Sequence, residues 1–274
     1  MSIITLTTDY GLKDHYVGAL KGKILSLLPE VTLVDISHDI DPFNSSEASY
    51  ILGSAYASFP KGSIHIIGVD AELNTENQHI AVQWNDHYFI AADNGIVSML
   101  TEKIVPQKIV RINIHDRLAN NATAMDVFIT VAVHIAKGGL LQVVGKEIQE
   151  IKEVTQLQAV VNEEGDAIKG HVIYIDHFGN VVTNITQQLF LEVGKGRPYE
   201  IMMRGKSLKT ILPNYSAIAL SGSINSYAGE KLAIFNESGY LEIAIFKSNR
   251  SSVGTASSLL GLYYRDSITI QFKK

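Results

Sequence analysis

The sequence predicts an α/β N-terminal domain, a mostly parallel sheet flanked by helices, followed by an all-β C-terminal barrel. Three observations carry that reading. In the first half, short apolar runs alternate with segments of helical period, the pattern of layered α/β folds. From Gly170 onward the runs become short and β-rich, separated by Gly, Asn and Ser. Between the halves lies a charged stretch, Gly145 to Asp166, of a composition that a surface connection tolerates. The expected boundaries are 1–155 for the α/β domain, 156–165 for a linker and 166–274 for the barrel. A chain of 274 residues with 46% hydrophobic content is long enough for two cores.

Ile3 to Leu6 is a short buried strand that runs into Thr7-Thr8-Asp9-Tyr10-Gly11. Asp14 is then placed to N-cap a helix whose Val17, Leu20, Ile24 and Leu27 recur at helical spacing until Pro29. Val31 to Ile36 repeats the strand, Ser37 to Ser46 is a polar loop, and Glu47 to Phe59 carries Ile51, Leu52, Ala55 and Phe59 on one helical face. Ser63 to Val69 is a third strand, followed by the polar stretch Asp70 to His79. Ile80 to Trp84 and Tyr88 to Ala92 form a hairpin across Asn85-Asp86. Lys108 to Ile112 is another strand, and Asp126 to Lys137 a helix with Val127, Phe128, Val131 and Ile135 inward, stopped by Gly138-Gly139. In the second half the strands are His171 to Ile175, Tyr199 to Met203, Lys231 to Phe235, Tyr240 to Ile245 and Ser267 to Phe272. A helical period returns only at Ser257 to Leu262.

Composition removes several function classes. A formal net charge of -5 gives no general attraction for nucleic acid or for an anionic membrane, since counterion release needs clustered Lys and Arg. With Cys 0 there is no disulfide framework, thiolate metal site or cysteine nucleophile, which fits a reducing compartment. No basic n-region or cleavage site precedes Asp9, and no uncharged apolar stretch reaches the roughly 18 to 20 residues of a membrane span. A cytoplasmic, soluble protein is expected.

In open α/β sheets ligands bind beyond the carboxyl ends of the strands. The residues there are Asp9, Asp14, His38, Asp39, Asp41 and Asp70. Such an acidic rim suits a ribose diol or a cationic ligand better than a phosphate, which needs glycine-rich backbone N–H groups at a helix N-terminus. Neither G-x-G-x-x-G nor G-x-x-x-x-G-K-[ST] occurs, so ordinary NAD or ATP binding loses its support. Any one of these acids equally caps a helix or solvates a turn. His38-Asp39-Asp41 has metal-binding residue types, but no second ligand pair is spaced to complete a site, and no metal is expected. Asp176-His177-Phe178-Gly179-Asn180 follows a strand; its ring and amide suit a flat purine, and it reads equally as a plain β-turn with a core Phe.

Taken together, these segments resemble the S-adenosylmethionine hydrolases (adenosine-forming), relatives of the fluorinases and chlorinases. Thr7 to Gly11 with Asp14 to Gly18 is similar to the family's TTDFG-x-x-DxYVG opening. Val34 to Ile40 with Pro42-Phe43 resembles VDI-[ST]-H-x-I-x-PF, and Ala92-Asp93-Asn94-Gly95 resembles APDNG. Tyr174 to Asn184, YIDHFGNVVTN, is close to YID-x-FGN-x-x-TN, and Asn236 to Ala244 is similar to N-S-x-GYLEIAV. The resemblance implies a homotrimer in which each ligand sits between one subunit's N-domain and a neighbour's C-domain. It implies that Asp9 holds the ribose hydroxyls and Phe43 packs beside the nucleoside. Phe178 and Asn180 take the adenine, Asp14 and Asp176 face the methionine part, and Tyr240 joins the ligand set. No cofactor is implied, S-adenosylmethionine being substrate or ligand.

The resemblance departs at the chemistry. The family surrounds its water with an Asp, an Arg and a His. Its loop VDPGVGT-x-RR-x-IAV corresponds to Val69 to Val82, so Asp70 matches the catalytic Asp, with Asn77 at the Arg and Gln78 beside it. Ala71, Glu72 and Asn74 replace the proline and two glycines. Asn121 to Asp126 stands for TFHGRD, putting Thr123 at the His and Met125 at the second Arg. Asn77 and Thr123 can hydrogen-bond a water but supply no charge, and Met125 with Ala124 makes the expected pocket wall more apolar. Asn77 reads equally as a loop residue shaped by its own backbone contacts. Two functions follow: hydrolysis of S-adenosylmethionine to adenosine and methionine with weakened or altered activity, or non-catalytic binding of adenosine or S-adenosylmethionine for sensing or sequestration.

Overall fold

The computed structural model describes residues 2–101, 104–154, 157–219, 224–249 and 251–273. The chain divides into two compact units, Met1–Gln156 and Leu157–Lys274. Among the described residues no helix is long and apolar enough to cross a membrane.

The first unit runs β1 (Ile3–Thr8), α1 (Tyr16–Leu27), β2 (Thr32–Ser37), α2 (Ser45–Ala55), β3 (Ile64–Gly68), β4 (His79–Trp84), β5 (His87–Ala92), α3 (Ile96–Leu100), β6 (Lys108–Ile112), α4 (Ala124–Ala136) and β7 (Gly145–Glu147). Its sheet has the order β2-β1-β3-β5-β4-β6-β7. Three pairings, β1 with β2, β1 with β3 and β3 with β5, are parallel. The other three, β4 with β5, β4 with β6 and β6 with β7, are antiparallel. The sheet is therefore mixed rather than mostly parallel. The cause is the β4–β5 hairpin: Asn85 and Asp86 both adopt positive φ, 49° and 64°, and a two-residue turn of that kind joins only antiparallel strands. Because β6 runs opposite to β4, and β4 opposite to β5, the carboxyl ends of β1, β2, β3, β5 and β6 share one edge.

Alternation along the strands sends Ile64, Ile66, Ala81 and Ile90 to one apolar layer with Leu20 and Ile24 of α1 and Phe128 and Val131 of α4. Ile67, Ile80, Val82 and Phe89 face the other layer, with Leu52 of α2 and Ile96 and Leu100 of α3. Asn44 caps α2, accepting the Glu47 N–H at 3.1 Å. Asp14 does not cap α1 as the sequence predicts. His15 is the N-cap, in helical conformation (φ −76°, ψ −11°), and no side chain closes the turn. A side-chain cap needs an extended backbone, which His15 lacks.

The second unit runs β8 (Val160–Val161), β9 (Ala167–Ile175), β10 (Val181–Thr186), α5 (Gln187–Gly194), β11 (Tyr199–Met203), β12 (Lys206–Leu208), β13 (Lys231–Phe235), β14 (Tyr240–Ile245), α6 (Ala256–Leu260) and β15 (Ser267–Phe272). The strands follow the path β12-β11-β15-β9-β10-β14-β13, with β8 beside β9. All of these pairings are antiparallel. The end strands β12 and β13 approach each other. Leu212, just beyond β12, bridges to Ile234 of β13, so the sheet curls into a nearly closed, barrel-like form. Helix α5 is a departure from the all-β expectation. Thr186 caps it by accepting the Leu189 N–H at 3.1 Å, and Phe190 packs against Tyr199, Phe235 and Phe272. An eight-residue helix is marginal alone and is held by such packing, which is why no long helical period announces it.

Candidate active site

At the shared strand edge, Asp9 follows β1 and its Oδ2 accepts the Phe43 N–H at 3.1 Å. That contact helps hold Phe43 at φ 63°, a left-handed conformation unusual for an aromatic residue, with 73% of the residue exposed. Thr8 Oγ1 lies 2.7 Å from Nδ1 of the buried His38, tying the loop after β2 to the end of β1. Asp14 is exposed in the segment before α1.

Asp70 follows β3 at φ 44°, and Asn94 locks that conformation by donating Nδ2 to the carbonyls of Val69 (3.0 Å) and Asp70 (3.1 Å). Asn77, only 8% exposed, donates Nδ2 to Asp70 Oδ2 at 3.3 Å. Its Oδ1 accepts from Lys152 Nζ at 3.1 Å. Its backbone is also fixed locally, since Asn74 Oδ1 accepts the N–H groups of Glu76 (2.8 Å) and Asn77 (2.9 Å). Asn77 is thus held in a local turn while its side chain meets the Asp70 carboxylate. Asn77 carries no charge itself, but a cation stands beside it, contributed from 75 residues away.

Next to this loop lies a cleft of about 450 Å³, whose lining includes Glu72, His79, His115, Asp116, Thr123 and Ala124. His79 Nε2 is 2.9 Å from the Ala71 carbonyl and its Nδ1 is 3.1 Å from His115 Nε2. A carbonyl only accepts, so His79 carries its proton on Nε2 and His115 donates to Nδ1. Burial, with His115 adjacent, lowers the His79 pKa to about 4, leaving it neutral near pH 7. Thr123 lines the cleft while its hydroxyl is engaged in capping α4: Oγ1 donates to Asp126 Oδ2 at 2.9 Å and accepts the Asp126 N–H at 3.3 Å. Met125 is a correction. It packs into the core against Gly68 rather than lining the cleft, while Ala124 does line it.

In the second unit, Asp176 to Asn180 is a closed turn. Asp176 Oδ1 accepts the Asn180 N–H at 2.8 Å, and Gly179 supplies the positive φ of 76°. Asn180 spends Nδ2 on Asp176 Oδ2 (2.9 Å) and Tyr215 Oη (3.1 Å). Its Oδ1 is buried and has no hydrogen-bond partner among the described residues. Phe178 is not a core residue; it is 63% exposed. Tyr215 Oη donates to buried Glu242, whose other oxygen accepts from Asn236 Nδ2 at 3.3 Å. Burial pushes the Glu242 pKa up. Tyr240 pairs with Thr186, at the end of β10 away from this turn.

Residues 4–145 match the SAM hydroxide adenosyltransferase N-terminal domain and residues 170–269 the corresponding C-terminal domain. The chain belongs to this family. It is similar to the (R)-S-adenosyl-L-methionine hydrolase of Methanocaldococcus jannaschii, 32% identical over 98% of this chain and 96% of that protein. It is also similar to the fluorinase of Actinopolyspora mzabensis, 26% identical over 88% of this chain and 90% of the other. Among solved structures, an uncharacterized conserved protein from Thermotoga maritima superposes with a TM-score of 0.82 at 28% identity, covering 99% of this chain and all of that one.

Within this SAM hydroxide adenosyltransferase chain, sequence reasoning missed Lys152, His79, His115, Tyr215 and Glu242. Lys152 sits in a charged surface stretch with no motif, and His115 in a turn-forming one. Glu242 carried a signal, a lone acid inside an otherwise apolar strand, and it is buried.

Proposed function

We propose that the chain hydrolyses S-adenosylmethionine to adenosine and methionine. Water attacks the ribose C5′ as the C5′–S bond breaks; the sulfonium leaves as the neutral thioether of methionine, and the water's second proton is released to solvent. A departing neutral thioether needs no general acid, so the demand falls on placing the water and stabilising its developing hydroxide character. The observation that carries the reading is Asp70: in a family chain matched across both domains, its backbone is pinned by Asn94 and its carboxylate met by Asn77.

In this reading Asp9 takes the ribose hydroxyls, Phe43 and Phe178 flank the nucleoside, and Asp14 and Asp176 face the methionine part. Asn180 takes the adenine edge, supported by its buried, unfilled Oδ1, which suits the exocyclic amino group as donor. The protein acts as a cytoplasmic homotrimer, with the ligand between the α/β domain of one subunit and the barrel of its neighbour. Incubating pure protein with S-adenosylmethionine and following adenosine by chromatography tests the reading. Adenosine release that Asp70→Asn abolishes supports it, and absence of release from the unmodified protein removes it. One observation favours non-catalytic binding instead: the Thr123 hydroxyl is turned into the α4 capping box. That reading predicts adenosine or S-adenosylmethionine binding by calorimetry with no turnover.

A further inference from the structure

We propose that Lys152 is a positioning residue for Asp70, its ammonium fixing the Asn77 amide that holds the carboxylate. The inference deepens the hydrolytic reading and rests on the assignment of Asp70 to that step. Its basis is the chemistry of three groups in series. A lysine ammonium only donates, an ionised carboxylate only accepts, and an asparagine side chain does one at each end. Between Lys152 Nζ, 3.1 Å from Oδ1, and Asp70 Oδ2, 3.3 Å from Nδ2, the amide has a single satisfied orientation. The flipped amide would set NH₂ against the ammonium and its oxygen against the carboxylate. The cation also polarises the amide, strengthening the N–H bond to Asp70, an effect that grows in a site as enclosed as that of Asn77.

The ammonium is not needed to hold its own segment in place. Residues 148–154 are anchored by the Ile148 N–H to the Ile109 carbonyl (3.0 Å) and the Lys152 N–H to Asp93 Oδ1 (2.8 Å). Ile148 and Ile151 pack on the apolar layer of α2 and α3. Val154 closes over Gly95, where an added Cβ would come within 2.1 Å of Val154 Cγ2. The side chain of Lys152 is thus free to serve the loop it touches. Without it, Asn77 Oδ1 loses its donor, and the carboxylate that must face the water in one geometry gains freedom.

The test is a double-mutant cycle on S-adenosylmethionine turnover. Lys152→Met should lower kcat roughly tenfold with KM nearly unchanged, less than the roughly 10² to 10³ of a donor that touches the reacting atoms. Lys152→Arg, which keeps the cation, should restore most of the rate. In an Asn77→Ala background, Lys152→Met should cost less than about twofold, because the amide it acts through is gone. Unchanged adenosine affinity by calorimetry would show that Lys152→Met is folded. A full kcat in Lys152→Met, or an equal loss with and without Asn77, would overturn the proposal while leaving hydrolysis intact. Absence of turnover in the unmodified protein would overturn the hydrolytic reading, and this inference with it.

Discussion

The loop after β3 and the turn after β9 use the same residue pair, an aspartate followed closely by an asparagine, and end with opposite hydrogen-bond balances. In the first unit Asn77 is satisfied at both ends, by Asp70 and Lys152. In the second, Asn180 spends both N–H groups on Asp176 and Tyr215 and keeps a buried oxygen for which the described residues offer no donor. A polar network complete in itself fixes a geometry, whereas one left short of a donor keeps an acceptor unspent. The first is suited to holding a reactive carboxylate still, and the second to receiving a ligand.

If the two regions divide these roles, substitutions should separate rate from affinity. Asp70→Asn should reduce S-adenosylmethionine turnover by about 10² to 10³ while adenosine affinity changes little, since the amide keeps the shape and loses the charge. Turnover at the unmodified rate would take the reaction away from the β3 loop. Asn180→Ala should weaken adenosine binding about tenfold, the worth of one hydrogen bond lost at a buried site. An affinity that stays the same, measured by calorimetry, would remove the unfilled oxygen from the site. Phe178→Ala should weaken adenosine binding about threefold, since an exposed ring contributes stacking and little desolvation, and should leave the oligomer unchanged by light scattering. An unaltered binding isotherm would place the ring elsewhere.

The contrast also explains what could be read from sequence. The hairpin at Asn85-Asp86 and the bounds of β6, β11, β13, β14 and β15 were legible because strand period and turn chemistry are local. Helix α3 was not, since all five of its residues are buried and no polar face marks a period. Asp9, Asp70 and Asn180 stood out because each directly follows a strand or turn signal. Lys152 could not, because its partner lies 75 residues away and only the fold of the sheet edge brings them together. His115 and His79 are likewise 36 residues apart. The mixed sheet was legible only in its hairpin, which requires one antiparallel pair; that β6 and β7 extend the sheet antiparallel beyond it is a tertiary property that alternation does not encode.

Acid should affect the two regions in opposite directions. In the first unit His65 is stacked on Phe89 beside His87, and burial, with His87 adjacent, lowers its pKa to about 3; burial lowers that of His79 to about 4. A histidine whose folded pKa lies below its ordinary 6.5 binds fewer protons folded than unfolded. Its contribution is complete above about pH 6.5 and declines as the pH falls through 6.5 toward 4 and 3. Protonating His79 also forces a second proton onto Nδ1, against the His115 N–H. In the second unit Glu242 is raised by burial, so its folded state binds more protons, and its penalty is relieved as the pH falls through its folded pKa. Amide hydrogen exchange at pH 7 and pH 4.5, corrected for intrinsic exchange, should therefore show β3 and β4 losing protection relative to β10 and β14. His79→Gln, which keeps an N–H for the Ala71 carbonyl and cannot take up the proton, should reduce that loss. Parallel changes in both units, or a loss indifferent to this substitution, would mean that the histidines at the sheet edge do not set the acid limit of the first unit.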